Sequence, residues 1–211
     1  MDKEQDYFSN LTDIYSFPFS LYHQPILSSI VEYVKKYAEN QKDMKILDVG
    51  CGAGLKHTSL MNYATVFGID VARKQIKYCQ SRFGNNYIFV ERGGKYPFPE
   101  NYFDVIIVSE VLEHISKGDV PSFLAEIKRV LKNEGVIMVS TPNYASPILV
   151  ILESTILELI ARQRGFTRKG LHPNKYKADT LSADIRSNGF SVTTLKRISL
   201  GMALFCIASK L

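Results

Sequence analysis

Between residues 45 and 143, short apolar runs alternate with stretches whose apolar positions recur every three or four residues. "KILDV" (45–49) reads as a buried strand, with a helix near Lys56 to Tyr63 behind it. "TVFGID" (65–70) is a second strand, followed by the helical "ARKQIKYCQSRF" (72–83). "YIFVE" (87–91) is a third, ending in the Gly/Pro loop "RGGKYPFPENY" (92–102). "FDVIIVSE" (103–110), the helix "VPSFLAEIKRVL" (120–131) and "GVIMVSTPN" (135–143) continue the series. Continuous apolar strands alternating with helices predict a parallel sheet covered on both faces. Upstream, Ile26, Ile30, Val34 and Tyr37 predict a helix from about Pro25 to Glu39, with the proline in its first turn.

The last third departs from this rhythm. "FSVTTLKRISL" (190–200) and "GMALFCIASKL" (201–211) are two strand-like runs joined at Leu200-Gly201 with no room for a helix. A tight turn requires antiparallel pairing. The expected fold is α/β and Rossmann-like: a seven-stranded, mostly parallel sheet with an antiparallel C-terminal hairpin. The whole chain, 1–211, reads as a single domain. Residues 1–44 form an N-terminal helical cap and 144–176 a lid-like insertion after the fifth strand.

"DVGCGAG" (48–54) carries the first chemical signal. Three glycines, Gly50, Gly52 and Gly54, directly follow a strand. Glycine there permits a positive φ and lets a ligand touch the main chain. The loop lies at the carboxyl end of the first strand, where open α/β sheets bind ligands. Asp70 closes the second strand, about where a carboxylate accepts the hydroxyls of an adenosine ribose; it also suits the N-cap of the helix that follows. The third glycine comes one residue too early for the G-x-G-x-x-G of dinucleotide sites, and Leu55 holds the expected place.

Taken together, "ILDVGCGAG" (46–54), "VFGIDVA" (66–72), "YPFPENYFDVIIVSEVLEHI" (96–115), "LKNEGVIMVSTPN" (131–143) and "LHPNKYKADTLSADIRSNGF" (171–190) resemble the class I S-adenosylmethionine-dependent methyltransferases, from about Lys45 to the C-terminus. The resemblance implies that Asp48 and the backbone at Gly50, Cys51 and Gly52 hold the methionine portion of S-adenosylmethionine. It gives Asp70 the ribose, Val71 the adenine face and Ser109 the methionine end, with S-adenosylhomocysteine as product. The family often places an Asp before the "PF" pair to meet the adenine amino group. Here Arg92 stands there, and it cannot accept a hydrogen bond. Either Glu91 substitutes, or the backbone of Arg92 and Gly93 does.

Methyl transfer from a sulfonium rests mainly on alignment, and a base is needed only where the acceptor must lose a proton. "SEVLEHI" offers His114 as that base; the alternative is a His114 that hydrogen-bonds the loop after the fifth strand. In a helical turn, Glu110 would lie near Glu113 and His114. With His172 these are the candidate ligands for a divalent metal, in an E-x-x-E-H arrangement resembling small-RNA 3′-end and ubiquinone-pathway O-methyltransferases. "LEHI" is also common in family members with no known metal, and the reading adopted is methyl transfer without one.

"PILVILESTILELIARQ" (147–163) reads as one helix with a broad apolar stripe: core, a subunit contact giving a homodimer, a lid over an apolar acceptor, or a helix meeting a membrane surface. The basic run with Arg162, Arg164, Arg168, Lys169, Lys175 and Lys177 suits an anionic end on that acceptor or a solvated face. The expected partner is therefore a small-molecule acceptor, apolar with an anionic end and methylated on oxygen. A net charge of +5 falls short of a dedicated nucleic-acid binder. The rivals are an RNA or protein methyltransferase, a nicotinamide-dependent oxidoreductase and a non-catalytic cofactor-binding module. No stretch reaches the roughly 18 apolar residues of a membrane span. Three scattered cysteines argue against a disulfide framework and a structural zinc site, so the expected location is the cytoplasm. The N-terminal aromatics Tyr7, Phe8, Tyr15, Phe17, Phe19 and Tyr22 are a candidate flap over the cofactor.

Overall fold

The computed structural model describes residues 20–39, 41–163 and 171–211. Along the chain run α1 (Ser20–Ala38), β1 (Lys45–Val49), α2 (His57–Leu60), β2 (Thr65–Asp70), α3 (Arg73–Phe83), β3 (Tyr87–Phe89) and β4 (Phe103–Ser109). A 3-10 turn (Leu112–His114), α4 (Val120–Val130) and β5 (Leu131–Pro142) follow. Next come α5 (Pro147–Leu152), a π-helical turn (Glu153–Leu157), α6 (Glu158–Gln163), α7 (Ala178–Ser187), β6 (Phe190–Ile198) and β7 (Ala203–Lys210).

One seven-stranded sheet has the order β3-β2-β1-β4-β5-β7-β6. β1 pairs in parallel with β2 and β4, while β7 pairs antiparallel with both β5 and β6. This is the expected architecture. The strand order reverses beside β1, so the segments leaving β1 and β4 diverge and open a crevice at their carboxyl ends.

Side-chain alternation splits the core in two. Leu47, Ile106, Val108, Ile137 and Val139 face α4 and α7, joining Leu124, Ile127, Leu181 and Ile185. Their neighbours Ile46, Val105, Ile107 and Met138 face the other way, onto Ile26, Ile30 and Val34 of α1. A period of two on β4 therefore feeds both layers, so the central strands carry apolar side chains on both faces.

Three expectations shift. α1 begins at Ser20, so Pro25 lies inside the helix rather than in its first turn. Tertiary contacts hold the extra residues: Ser199 Oγ donates to the Tyr22 carbonyl (2.5 Å) and the Tyr22 hydroxyl to Glu110 (2.9 Å). β5 begins four residues early, at Leu131, which pairs with Phe103 across a register shift. The single helix read over 147–163 contains a π-helical turn at Glu153–Leu157. There Ser154 and Thr155 hydroxyls donate back to the carbonyls of Val150 and Ile151. Among the described residues no helix is long and apolar enough to cross a membrane.

Candidate active site

The loop leaving β1 turns back at once. The N–H groups of Gly50 and Cys51 both donate to the Ile69 carbonyl, at 2.9 and 3.1 Å, which ties the turn to the end of β2. Gly50, Gly52 and Gly54 have φ of 69°, 52° and 68°. At Gly54 a side chain is excluded by the protein itself, since a Cβ would lie 2.8 Å from His57 Nδ1 and Phe83. At Gly52 a Cβ would meet nothing within 4 Å. The left-handed backbone at Gly52 thus presents an open face, as a ligand-cradling turn requires.

Asp70 braces that turn from the next strand. Its Oδ2 accepts from Gly52 N (2.8 Å) and its Oδ1 from Ala72 N (2.7 Å). It therefore serves the start of α3 and the glycine turn together. Burial raises its carboxyl above the ordinary range, against the pull of the Ala72 and Gly52 N–H groups. Val71, half-buried, follows at the rim. Cys51 contributes its backbone; its buried thiol is turned under the loop into a cluster with Ile76, Cys79 and Tyr87. A hydrogen bond to Cys79, and then burial, push that thiol well up, so it is a poor nucleophile. Arg92 and Glu91 have exposed side chains on a turn closed by Gly94 N donating to the Glu91 carbonyl (2.9 Å).

Asp48 is fully buried. His57 Nε2 donates to its Oδ2 at 2.8 Å and Lys56 Nζ lies 3.3 Å from the same oxygen, while Oδ1 has no partner. Burial disfavours the charge, and Lys56 and then His57 more than offset this, holding the carboxyl below its ordinary range. The sequence reading missed Lys56 and His57. The visible signal was a Lys-His pair directly after the glycine turn; that both fold inward is a tertiary fact.

The segment after β4 forms the other wall. Ser109 Oγ and Ser140 Oγ are 2.9 Å apart, and Ser140 Oγ donates to Glu110 Oε1 at 3.0 Å. Glu110 does not join a helical turn with Glu113 and His114 as expected. Its φ is +59°, the 3-10 turn starts only at Leu112, and its Oε2 accepts from Tyr22. Glu113 is buried and accepts from Thr141 Oγ1 at 3.1 Å. Burial, then the neighbouring Glu110, raises its carboxyl well above the ordinary range.

His114 Nδ1 donates to the Leu171 carbonyl at 2.9 Å. That carbonyl lies in the segment before α7, whereas the expected contact was with the loop after β5. This bond fixes the tautomer and leaves Nε2 as the basic nitrogen of the neutral ring. Asn174 anchors the segment by donating from its backbone to Glu113 O (3.2 Å) and from Nδ2 to Ile115 O (2.6 Å). His172 then packs edge-on to His114 at 4.8 Å between ring centroids, with Nδ1 2.5 Å from the Tyr144 hydroxyl and 3.4 Å from Glu153 Oε1 in the π-helical turn. Ligand atoms of Glu113, His114 and His172 lie within 4.8 Å of one another; Glu110 is not among them.

Beyond this wall, Ile148, Val150, Ile151 and Leu159 are exposed, the last two by 61% and 60%, whereas Leu149 is buried. Side chains at 156, 160, 161 and 163, the basic residues 164–169 and the aromatics before Ser20 lie outside the described residues.

Sheet order, glycine turn and the Asp70 brace define a Rossmann-like domain with a backbone cradle open at Gly52. The methyltransferase domain family matches residues 47–139. The ubiquinone biosynthesis O-methyltransferase of Pelagibacter ubique is 32% identical over 108 residues, 48% of this chain and 43% of that protein. Among solved structures, the PH0226 protein of Pyrococcus horikoshii superposes with a TM-score of 0.74 at 19% identity, with 100% of each chain covered. Magnesium protoporphyrin IX methyltransferase of Synechocystis, with bound S-adenosylhomocysteine, gives 0.69 at 18%, again with 100% of each chain covered. Residues 47–139 thus match that methyltransferase domain family, and the fold is shared with solved S-adenosylmethionine-dependent methyltransferases. The chain spans about half the length of the curated relatives it matches.

The residues present fit the cofactor of that family. The open face at Gly52 and the unpartnered buried Asp48 Oδ1 are a cradle and an acceptor with no protein group to serve.

Proposed function

We propose that this protein transfers the methyl group of S-adenosylmethionine to an oxygen of a small, largely apolar acceptor with an anionic end. The observation that carries the reading is the glycine turn, open at Gly52 and braced by Asp70. Bound there, the cofactor supplies an electrophilic methyl group on a sulfonium.

The chain's own residues do the rest. Asp48, Gly50, Cys51 and Gly52 hold the amino-acid end, Asp70 the ribose and Val71 the adenine face. The backbone around Arg92 and Gly93 serves the adenine edge, since the Arg92 side chain is exposed. Ser109, tied to Ser140, borders the methionine end. His114, with Nδ1 committed to Leu171, offers Nε2 to take the acceptor's proton. Residues 144–176 act as a lid, 1–44 as a cap, on one domain. The exposed Ile148, Ile151 and Leu159 support an apolar acceptor, and Lys175, its ammonium 5.4 Å from the centre of the Tyr144 ring, supports an anionic end. The O-methyltransferase relatives favour oxygen. All three cysteines are free, in keeping with a reducing cytoplasm.

One observation favours a second reading, in which Glu113, His114 and His172 bind a divalent cation.

The test is calorimetry with S-adenosylmethionine, S-adenosylhomocysteine and NADH, followed by transfer of labelled methyl groups to phenolic acid acceptors and to short RNA. Binding of the two adenosyl ligands alone, and label on the phenol, are expected. Label on RNA, or binding of NADH alone, would sink the proposal. Activity lost on chelation and restored by Mg²⁺ or Zn²⁺ would establish the metal reading.

A further inference from the structure

β3 is the last strand on one side of the sheet and pairs with β2. On the β2 side, the Asn86 carbonyl accepts from Gly68 N at 3.0 Å and Val90 N donates to the Asp70 carbonyl at 3.1 Å. Bonding residues alternate along a parallel ladder, so the backbone of Tyr87 and Phe89 points the other way, off the edge. Gln80 Nε2 donates to the Tyr87 carbonyl at 2.8 Å. The N–H and C=O of Phe89 are left to face an incoming strand.

α3 roofs this edge without closing it. Arg73, Ile76, Lys77 and Gln80 have the i, i+3, i+4, i+7 spacing of one helix face. That face and the strand residues Tyr87 and Phe89 line a groove of about 390 Å³. A strand added to β3 would lie about 4.8 Å beyond it, along this groove. The groove is basic. α3 carries Arg73, Lys74, Lys77 and Arg82 and no acid. Arg73 and Lys77 are exposed, and among the described residues neither has an ion-pair partner. The Arg73 guanidinium lies 3.5 Å from the centre of the Phe89 ring, so it is held against the strand.

The spacing of the two cations selects a pattern. Four residues of helix rise about 6 Å, and two residues of strand about 6.6 Å. Carboxylates at alternate positions of an extended chain therefore match Arg73 and Lys77, while the side chain between them points to the opposite face. We infer that the α3–β3 groove docks an extended segment of a partner protein with carboxylates at alternate positions, added to the sheet at Phe89 and paired with Arg73 and Lys77. Backbone pairing supplies the grip, and the two cations choose the sequence. The inference does not depend on the cofactor reading.

Fluorescence polarisation on the full chain would compare three labelled, end-blocked pentapeptides: Val-Glu-Val-Glu-Val, the rearranged Val-Val-Glu-Glu-Val, and the uncharged Val-Gln-Val-Gln-Val. The first should bind at least about fivefold more tightly than either of the others, which is the most that one exposed ion pair contributes. Arg73→Glu combined with Lys77→Glu should erase that preference. Lys77→Glu alone, which breaks no packing contact with Phe89, should remove most of it. In the wild type the preference should shrink between about 0.05 and about 0.5 M salt, and bound peptide should slow amide exchange at Phe89; neither measurement needs a variant. Equal binding of the three peptides, a preference that survives charge reversal, or unchanged exchange at Phe89 would overturn the inference. Binding seen only after residues 1–6 are removed would assign the groove to the chain's own Asp2, Glu4 and Asp6, and would overturn the partner.

Discussion

Asp48 and His57 face each other across the glycine turn, Oδ2 to Nε2 at 2.8 Å, both fully buried. The pair joins the end of β1 to the start of α2, so the turn between them is closed by an ionisable contact. Because the folded carboxyl is held below its ordinary value of 3.8, its stabilisation is present above that value and is lost as pH falls through the folded one. Asp48→Asn should cost about 1–3 kcal/mol at neutral pH. The gap to the wild type should shrink on acidification from about pH 5 downward. Urea denaturation of both proteins across that range measures it; a gap independent of pH would contradict the assignment.

Gly52 and Gly54 separate binding from folding. At Gly54 an added Cβ would strike His57 and Phe83 at 2.8 Å, so Gly54→Ala should cost about 2–4 kcal/mol from overpacking and left-handed strain. Gly52→Ala meets open space and should cost only about 1–2 kcal/mol, yet weaken S-adenosylhomocysteine at least about tenfold, one lost contact's worth. Thermal melts and calorimetry on the two variants give opposite rankings if the turn is read correctly.

Asp70 has one oxygen on Gly52 N and the other on Ala72 N. Asp70→Asn keeps the shape but replaces one acceptor with a donor aimed at an N–H. Cofactor affinity should fall by about 10- to 100-fold, with a lower melting temperature because the turn loses its brace. Unaltered affinity would remove Asp70 from the ribose site.

His114→Gln should lower kcat by about 10²–10⁴ while leaving S-adenosylhomocysteine affinity in place. The decisive reading is the pH profile: the wild type should lose rate on acidification as the base becomes protonated, and the variant should lose that limb. An unchanged profile would make His114 a structural residue bonded to Leu171.

Ile151 and Leu159 are exposed. Changing both to Lys should alter stability by no more than about 0.5 kcal/mol each, but raise KM for acceptors in step with their apolar length. Unchanged KM across a series of alkyl chain lengths would argue against the lid.

Local pattern determined much of this protein. Continuous apolar runs at 45–49 and 103–110 demanded a sheet buried on both faces, and the missing helix between 190 and 211 demanded an antiparallel end. Three glycines after a strand, with Asp70 ending the next, located the crevice, because a ligand's approach to backbone leaves a mark in composition. Direction and burial left no such mark. The Lys56-His57 pair reads locally as the polar opening of a helix, and only packing turns both onto Asp48. Glu110, Glu113 and His114 look like one cluster along the chain. The left-handed backbone at Glu110 sends its carboxylate to Tyr22, 88 residues away, while Leu171 and His172 reach His114 from the segment before α7. Contacts across such separations depend on how the layers close, and short-range spacing carries no term for that.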